Sequence, residues 1–169
     1  MDDSGIGFES WDQGLVGPSW HWLHPEPGRT IGFLVVCESP LWFRGHFSGG
    51  RMEACGGNGC SLCDSGVGLQ RRWIATGIEE RSGIVYAWEF GDAVAEVFRR
   101  EQKKKGSCRG LLLEIGRSGE SVHSRLRVEC MGVQKISEAM EKKVPGPSLV
   151  FEATFKLEIS TPTLPSTAG

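Results

Sequence analysis

The chain has 169 residues, of which 39% are hydrophobic and 24% are charged, with a formal net charge of −2. This size and composition are typical of one globular domain with short tails. No apolar run approaches the roughly 20 residues that span a bilayer, and the acidic start MDDSGIGFES is the reverse of a basic secretory leader. We therefore expect a cytoplasmic protein without membrane segments, in a compartment where disulfides are rare.

The charge is unevenly distributed along the chain. Residues 1–66 carry three basic and eight acidic side chains, whereas residues 67–135 carry thirteen basic and nine acidic ones. A positive middle region in an acidic protein can bind an anionic partner. Scattered, solvated surface charge is the equally weighted alternative.

The first thirty residues are rich in Gly, Pro, Ser and Trp and show neither strand nor helix periodicity. We predict an irregular or partly disordered Trp-rich arm over residues 1–30. The β-branched, apolar segment TIGFLVVCES follows, bounded by Gly28 and Pro40. It is typical of a buried strand.

Residues 46–63, HFSGGRMEACGGNGCSLC, hold four possible metal ligands: His46, Cys55, Cys60 and Cys63. A C-x2-C pair can direct two thiolates at one ion, and a third cysteine and a histidine complete the tetrahedral set that zinc prefers. Glycines let the backbone fold closely around such an ion. The pattern predicts one structural Zn²⁺ with no open coordination position, whose binding would shape a loop that is almost free of apolar side chains.

Other interpretations of these cysteines remain open. Disulfides would need an oxidising compartment, and a redox C-x2-C should begin a helix, which we do not expect after Cys60. Unrelated loop thiols are a third possibility. The remaining cysteines, Cys37, Cys108 and Cys130, lie in apolar or strand-like segments and are expected to be packed thiols. His24 is the substitute ligand if His46 is not the fourth.

Two hairpins and one helix are predicted beyond the cysteine segment. LQRRWIATGIE and GIVYAWEF form the first hairpin, and RGLLLEIGRSGESVHSRLRVEC forms the second. Between them, GDAVAEVFRREQKKKG is a helix with Asp92 near its start and Gly106 placed to end it. VQKISEAMEKK predicts a short helix, SLVFEATFKLEI a final strand, and residues 159–169 a disordered tail.

This inventory predicts a mainly β protein. Five or six strands with one helix between two hairpins fit an OB-fold over residues 31–158, a five-stranded Greek-key barrel with its helix between strands 3 and 4. The zinc loop at 46–63 would be an insertion in that barrel. The strand count also fits an SH3-like barrel or a small sandwich.

Aromatic and basic side chains alternate on the predicted strands that follow the cysteine segment. Rings can stack on bases and arginines can neutralise phosphates in a single-stranded nucleic-acid platform. The candidate contact residues are Arg71, Arg72, Trp73, Tyr86, Arg117 and Arg125. The alternative is that rings of this region are core residues, which we expect for Phe43, Trp88 and Phe90.

The order of motifs over residues 31–131 resembles the phage-type single-stranded DNA-binding proteins, which are zinc-containing OB-fold proteins. The matching segments are GHFSGGRMEACGGNGCSLCDSG, QRRWIA, VYAWEFGDAVAEVF and GLLLEIGRSGESVHSRLRVE. Ser124 and Leu126 stand where that family more often has a threonine and an aromatic residue. Its acidic C-terminal tail has no counterpart in STPTLPSTAG. The resemblance implies sequence-tolerant binding of single-stranded DNA, without catalysis.

Three function classes follow from these patterns. The leading one is single-stranded DNA binding in replication, recombination, repair or transposition, with other replication or recombination proteins as candidate partners. The same contacts would serve RNA, because stacking and phosphate contacts do not depend on the 2′-OH. The second is a protein-interaction module built from the zinc loop and the Trp-rich arm. An enzyme is disfavoured, since Ser48 stands where a zinc deaminase needs glutamate.

Overall fold

The computed structural model describes residues 19–156. Its strands are β1 (His21–Trp22), β2 (Ile31–Val35), β3 (Leu41–Ser48), β4 (Arg51–Ala54), β5 (Leu69–Glu79), β6 (Val85–Phe90), β7 (Leu111–Arg117) and β8 (Leu126–Val133). Its helices are α1 (Ser61–Asp64), α2 (Asp92–Lys105), α3 (Glu138–Lys143) and α4 (Pro147–Phe155). The prediction of a mainly β protein is confirmed. Within this part of the chain, no helix combines the length and the apolar character needed to span a membrane.

The eight strands form one mixed sheet. The order along its main path is β1-β6-β5-β2-β7-β8, and β3 pairs with both β5 and β4. The β1–β6 pair is parallel and the other pairs are antiparallel. Among the described residues the two end strands do not pair with each other, so the sheet is not closed.

Both hairpins and the central helix that the sequence predicts are present. β5 pairs with β6, and β7 pairs with β8, each in antiparallel register. Helix α2 ends at Gly106, whose left-handed φ of 82° lets its N–H donate to the carbonyl of Gln102 at 2.7 Å. Glycine adopts this conformation without a Cβ clash, which explains why the helix stops there.

The main core lies between the inner face of the sheet and α2. Phe33 and Trp88 meet edge to face, and the rings of Phe90 and Phe98 stack with centroids 4.9 Å apart. Trp88 and Phe90 are buried, and Phe43 is buried in a second cluster on the outer face. These three rings therefore pack as core residues, as expected.

The prediction of a final strand at SLVFEATFKLEI is wrong, because Pro147–Phe155 is helix α4. Proline at the first helical positions is compatible with a helix start, where its missing N–H costs nothing. The i, i+4 pair Phe151 and Phe155 packs on Phe43, with ring centroids 5.3 and 5.1 Å from it. Helix α4 thus covers the outer face of the sheet instead of extending it.

The hairpin of β3 and β4 was not predicted, and it places His46 within a strand. Gly49 and Gly50 form its two-residue turn with φ of 60° and 80°, the positive values that favour glycine in such turns. Within the predicted irregular arm, His21 and Trp22 form the two-residue strand β1. The rest of that arm up to residue 18, and the predicted disordered tail, lie outside the described residues.

Candidate metal centre and nucleic-acid interface

Four side chains from the cysteine segment converge on one point. His46 projects from β3, Cys55 follows β4, and Cys60 and Cys63 lie immediately before and within α1. Their four potential ligand atoms all lie within 4.8 Å of one another. The structure therefore contains a His/Cys3 cluster that could hold a metal ion.

The distances within this cluster fit a tetrahedral zinc site. The His46 Nε2 atom lies 3.3 Å from the Cys63 Sγ and 3.6 Å from the Cys60 Sγ, and the Sγ atoms of Cys55 and Cys63 are 3.5 Å apart. Zinc–sulfur and zinc–nitrogen bonds of about 2.3 and 2.0 Å correspond to tetrahedral edges of roughly 3.5–3.8 Å. These three distances match such edges, and the remaining pairs of donor atoms lie no more than 4.8 Å apart.

His46 is oriented by contacts outside the cluster. Its side chain is fully buried, and its Nδ1 lies 3.0 Å from the carbonyl oxygen of Val67 and 3.2 Å from that of Gly68. Because a carbonyl can only accept, Nδ1 carries the proton and Nε2 presents its lone pair to the thiols. Such a partner on the second ring nitrogen is a regular feature of metal-binding histidines.

Backbone hydrogen bonds favour the thiolate, the form that binds metals, at Cys55 and Cys60. The backbone N–H groups of Cys63 and Gly56 lower the pKa of Cys60 to about 6. Hydrogen bonding with Cys55 raises the pKa of Cys63 to about 11. A divalent cation would relieve this crowding of negative charge.

The structure also bears on the other interpretations of the cysteines. All six cysteines are free thiols. Contrary to the expectation that no helix follows Cys60, α1 begins directly after it, although it is only four residues long. A redox pair would not need the third thiol and the imidazole that converge here, so a metal site accounts for more of the geometry.

Cys37 and Cys108 lie apart from the cluster and are expected to be unreactive in the folded protein. Both are buried, and burial raises the pKa of Cys37 to about 11 and that of Cys108 to about 12. Thiolate is the reactive form. Iodoacetamide at pH 8, followed by peptide mass spectrometry, should label these two only after denaturation; labelling of the native protein at either position would contradict their packing.

The His/Cys3 cluster is the main organising contact of the segment that carries it. We call residues 49–68 the cysteine loop; Met52 and Ala54 of β4 pack at the edge of the outer-face cluster, but no side chain of residues 55–68 belongs to a hydrophobic cluster of the described residues. A segment with so little apolar burial cannot by itself offset the entropy cost of ordering its backbone. Its shape therefore depends on the two ends anchored in β3 and β5 and on the cluster.

Next to this loop, β3 and β5 present paired tryptophans and paired arginines on one face. Trp42 is directly opposite Trp73, and Arg44 is directly opposite Arg71. Residues paired in this way share a face, with Cβ atoms about 4.5–5.5 Å apart. Trp42 is 51% exposed, and Arg44 and Arg71 are exposed as well. We call these four residues the Trp–Arg face.

Asp92, at the start of α2, forms hydrogen bonds with the two β5 residues of this face, Arg71 and Trp73. Its Oδ1 and Oδ2 atoms accept from Arg71 Nε and Nη2 at 3.0 and 3.1 Å, and Oδ1 also accepts from Trp73 Nε1 at 2.9 Å. These bonds from Arg71 and Trp73 lower the pKa of Asp92 below its usual value. The Arg99 guanidinium lies 5.0 Å from the centre of the Trp73 ring, within cation–π range.

Arg72 and Tyr86 do not belong to the Trp–Arg face. Arg72 points to the opposite side of β5 from Arg71, is half-buried, and donates to the Glu89 carboxylate. Tyr86 is half-buried against the main core and lies opposite His21 of β1, with ring centroids 6.2 Å apart. Neither side chain is presented for stacking or for phosphate contact in this conformation.

The two arginines of the β7–β8 hairpin differ from each other. Arg117 donates from Nε to the Pro25 carbonyl at 2.8 Å and from Nη1 to the Ser124 carbonyl at 2.7 Å, so it ties the arm to the turn. Arg125 is exposed and makes no side-chain hydrogen bond or ion pair with another described residue. Of the pair, Arg125 is the one free to contact a ligand.

Trp42 and Arg44 were missed from the sequence, although a local signal pointed to them. In LWFRGHF, Trp42, Arg44 and His46 alternate, so a strand places all three on one face.

Comparisons of the chain with protein-family models, with curated proteins and with solved structures find no match. The resemblance to phage-type single-stranded DNA-binding proteins therefore remains a hypothesis. The two features of this chain that bear on function are the His/Cys3 cluster and the Trp–Arg face.

Proposed function

We propose that this protein binds single-stranded DNA in a sequence-tolerant way, on the Trp–Arg face beside a structural zinc site, and that it is not an enzyme. The observation that carries the proposal is the double pairing of Trp42 with Trp73 and Arg44 with Arg71 on the strands that anchor the cysteine loop. Aromatic rings interleaved with arginines are what unpaired bases and their phosphates require. The same surface would accept single-stranded RNA.

The strand order supports the OB-fold as the architecture. The N–H groups of Val36 and Cys37 bond to the carbonyl of Thr76 at 3.0 and 3.3 Å, so β2 and β3 follow β5 as one bent strand. Counted as one, they are followed by β5 and β6, and β7 returns beside the first strand, which is a Greek-key order. Helix α2 then lies between the third and fourth strands.

If the bent strand is counted as strand 1, then β5, β6, β7 and β8 are strands 2 to 5. The cysteine loop then connects strands 1 and 2, and residues 118–125 connect strands 4 and 5. OB-folds commonly bind oligonucleotides with these two loops and the face of strands 2 and 3. Arg71 and Trp73 lie on strand 2, and Arg125 lies at the end of the second loop. Helix α4 packs on Phe43, which points to the opposite side of β3 from Trp42. The Trp–Arg face therefore lies on the side of these strands that α4 does not cover.

Zinc is the ion that fits the cluster best. Three sulfur donors and one imidazole are a regular ligand set of structural zinc sites, with no position left for water. His46 connects this site to DNA binding, because it lies on β3 two residues beyond Arg44, on the same side of the strand. A metal-bound imidazole at this position would hold the end of β3 in place against β5, and with it the pairs of the Trp–Arg face.

Trp42→Ala is expected to weaken binding of oligo-dT by about 5- to 150-fold, because one stacked base contributes about 1–3 kcal/mol. Arg44→Ala should weaken binding as well and should lower the slope of log K against log salt by about 0.7, the loss of one phosphate contact. Fluorescence titration with oligo-dT and with duplex DNA, at several salt concentrations, measures both effects.

Leu149→Ala is a suitable control, because Leu149 is 44% exposed on α4, away from the Trp–Arg face, and carries no charge or ring. The proposal is contradicted if the unmodified protein does not bind oligo-dT, if its affinity does not depend on salt, or if Trp42→Ala binds as tightly as the control.

A second candidate function is a protein-interaction module. Trp42, Phe47 and Leu69 are each about half exposed, at 51%, 57% and 49%, on the same two strands, and large exposed apolar side chains are typical of protein interfaces. This function predicts that neither oligo-dT nor duplex DNA changes the tryptophan fluorescence, so the same titration separates the two.

A further inference from the structure

The two arginines of the Trp–Arg face are not equally available. Arg71 is engaged by both carboxylate oxygens of Asp92, whereas Arg44 forms no ion pair with any other described residue. Arg71 is therefore already neutralised in the unbound protein, and an approaching phosphate meets a carboxylate at this position.

The Asp92 carboxylate occupies the place that a phosphate would take. A guanidinium binds carboxylate and phosphate in the same two-pronged geometry, with two parallel N–H···O bonds. The Asp92 carboxylate accepts two such bonds from Arg71. It also accepts a third bond, from the indole N–H of the neighbouring Trp73. One acidic side chain thus holds a phosphate-binding and a base-stacking candidate at the same time.

We propose that Asp92 is an internal phosphate mimic: single-stranded DNA displaces it from Arg71, and its charge lowers the affinity of the Trp–Arg face. This inference rests on the proposed function. Both partners of the pair are about half exposed, so the exchange needs no opening of the core. Ion pairs this exposed contribute little to stability, so breaking the pair between Arg71 and Asp92 costs little free energy.

Asp92→Asn tests the inference, because it removes the charge but keeps a carbonyl oxygen that can accept from Trp73. We expect the variant to bind oligo-dT about 2- to 10-fold more tightly than the unmodified protein at low salt, because the phosphate no longer has to displace a carboxylate from its charge-assisted contact with Arg71. Its salt slope should be steeper by about 0.7. The control is Glu138→Gln, which also removes one paired carboxylate, 2.7 Å from Lys142 on α3.

A double-mutant cycle makes the test specific to Arg71. Arg71→Ala alone should weaken binding less than Arg44→Ala, since Asp92 already occupies Arg71. In the Arg71→Ala background, Asp92→Asn should bring almost no gain. A gain of the same size with and without Arg71, or the same gain in Glu138→Gln, would show a general charge effect and overturn the inference.

A measurement on the unmodified protein covers the case in which Asp92→Asn fails to fold. The Trp73 indole N–H resonance should move when oligo-dT saturates the protein, because its Asp92 acceptor leaves. An unmoved resonance at saturation overturns the inference while the proposed function stands. Failure of the unmodified protein to bind oligo-dT overturns the proposed function itself, and the inference with it.

Discussion

Replacing Cys60 by serine is expected to remove the bound metal and to unfold the cysteine loop while the rest of the sheet stays folded. Metal binding contributes roughly 10–16 kcal/mol in small zinc modules, and loss of one of four ligands should weaken it by more than about 100-fold, since even outer-shell changes cost roughly 10–100-fold. Residues 55–68 belong to none of the hydrophobic clusters of the described residues, so no apolar packing compensates there, whereas the main core around Trp88 lies elsewhere.

Elemental analysis of protein purified without added metal should give about one zinc per chain for the unmodified protein and much less for Cys60→Ser. Amide hydrogen exchange should show lost protection confined to residues 49–68. Cys130→Ser is the matched control, because Cys130 lies outside the cluster on β8. Metal-free unmodified protein with a fully protected loop would refute the zinc site.

Gly77→Ala is expected to destabilise the protein by about 3 kcal/mol or more, near the upper end of overpacking effects. A Cβ at this position would lie 2.2 Å from the carbonyl oxygen of Leu34 and 2.9 Å from the ring of Phe33. The first neighbour is backbone of the paired strand β2 and the second is a fully buried ring, so neither can move aside without disturbing the core.

Thermal unfolding followed by circular dichroism should show the melting temperature of Gly77→Ala lowered by roughly 6–12 °C. Gly68→Ala is the control, because a Cβ there meets no atom within 4 Å and the residue does not need positive φ. Equal melting temperatures of the two variants would mean that β2 and β5 do not approach each other this closely.

Local signals were enough to predict the metal cluster. Its four ligands fall within eighteen residues, and the C-x2-C spacing, the glycines and the scarcity of apolar side chains all point to an ion as the organising element. Helix α2 and the two long hairpins were equally accessible, because a left-handed glycine at Gly106 and polar turns between apolar strands are short-range features.

Local signals did not predict that the C-terminal segment is a helix. Its apolar residues fit both a period of two and the i, i+4 spacing of Phe151 and Phe155, and only the presence of Phe43 on the outer face decides for the helix. Propensity is a weak prior when tertiary packing can override it.

The candidate binding surface was also predictable in part from the sequence and in part only from the tertiary structure. The sequence by itself determined the four candidate metal ligands and the presence of rings and arginines on the strands, since each is fixed by residue identity and by a spacing of a few residues. Only the tertiary structure decided that Trp42 lies opposite Trp73, that Arg72 turns away to Glu89, and that Asp92 reaches Arg71 from 21 residues further along the chain. These relations depend on strand register and on where α2 packs, which arise from contacts between distant segments and leave no local pattern.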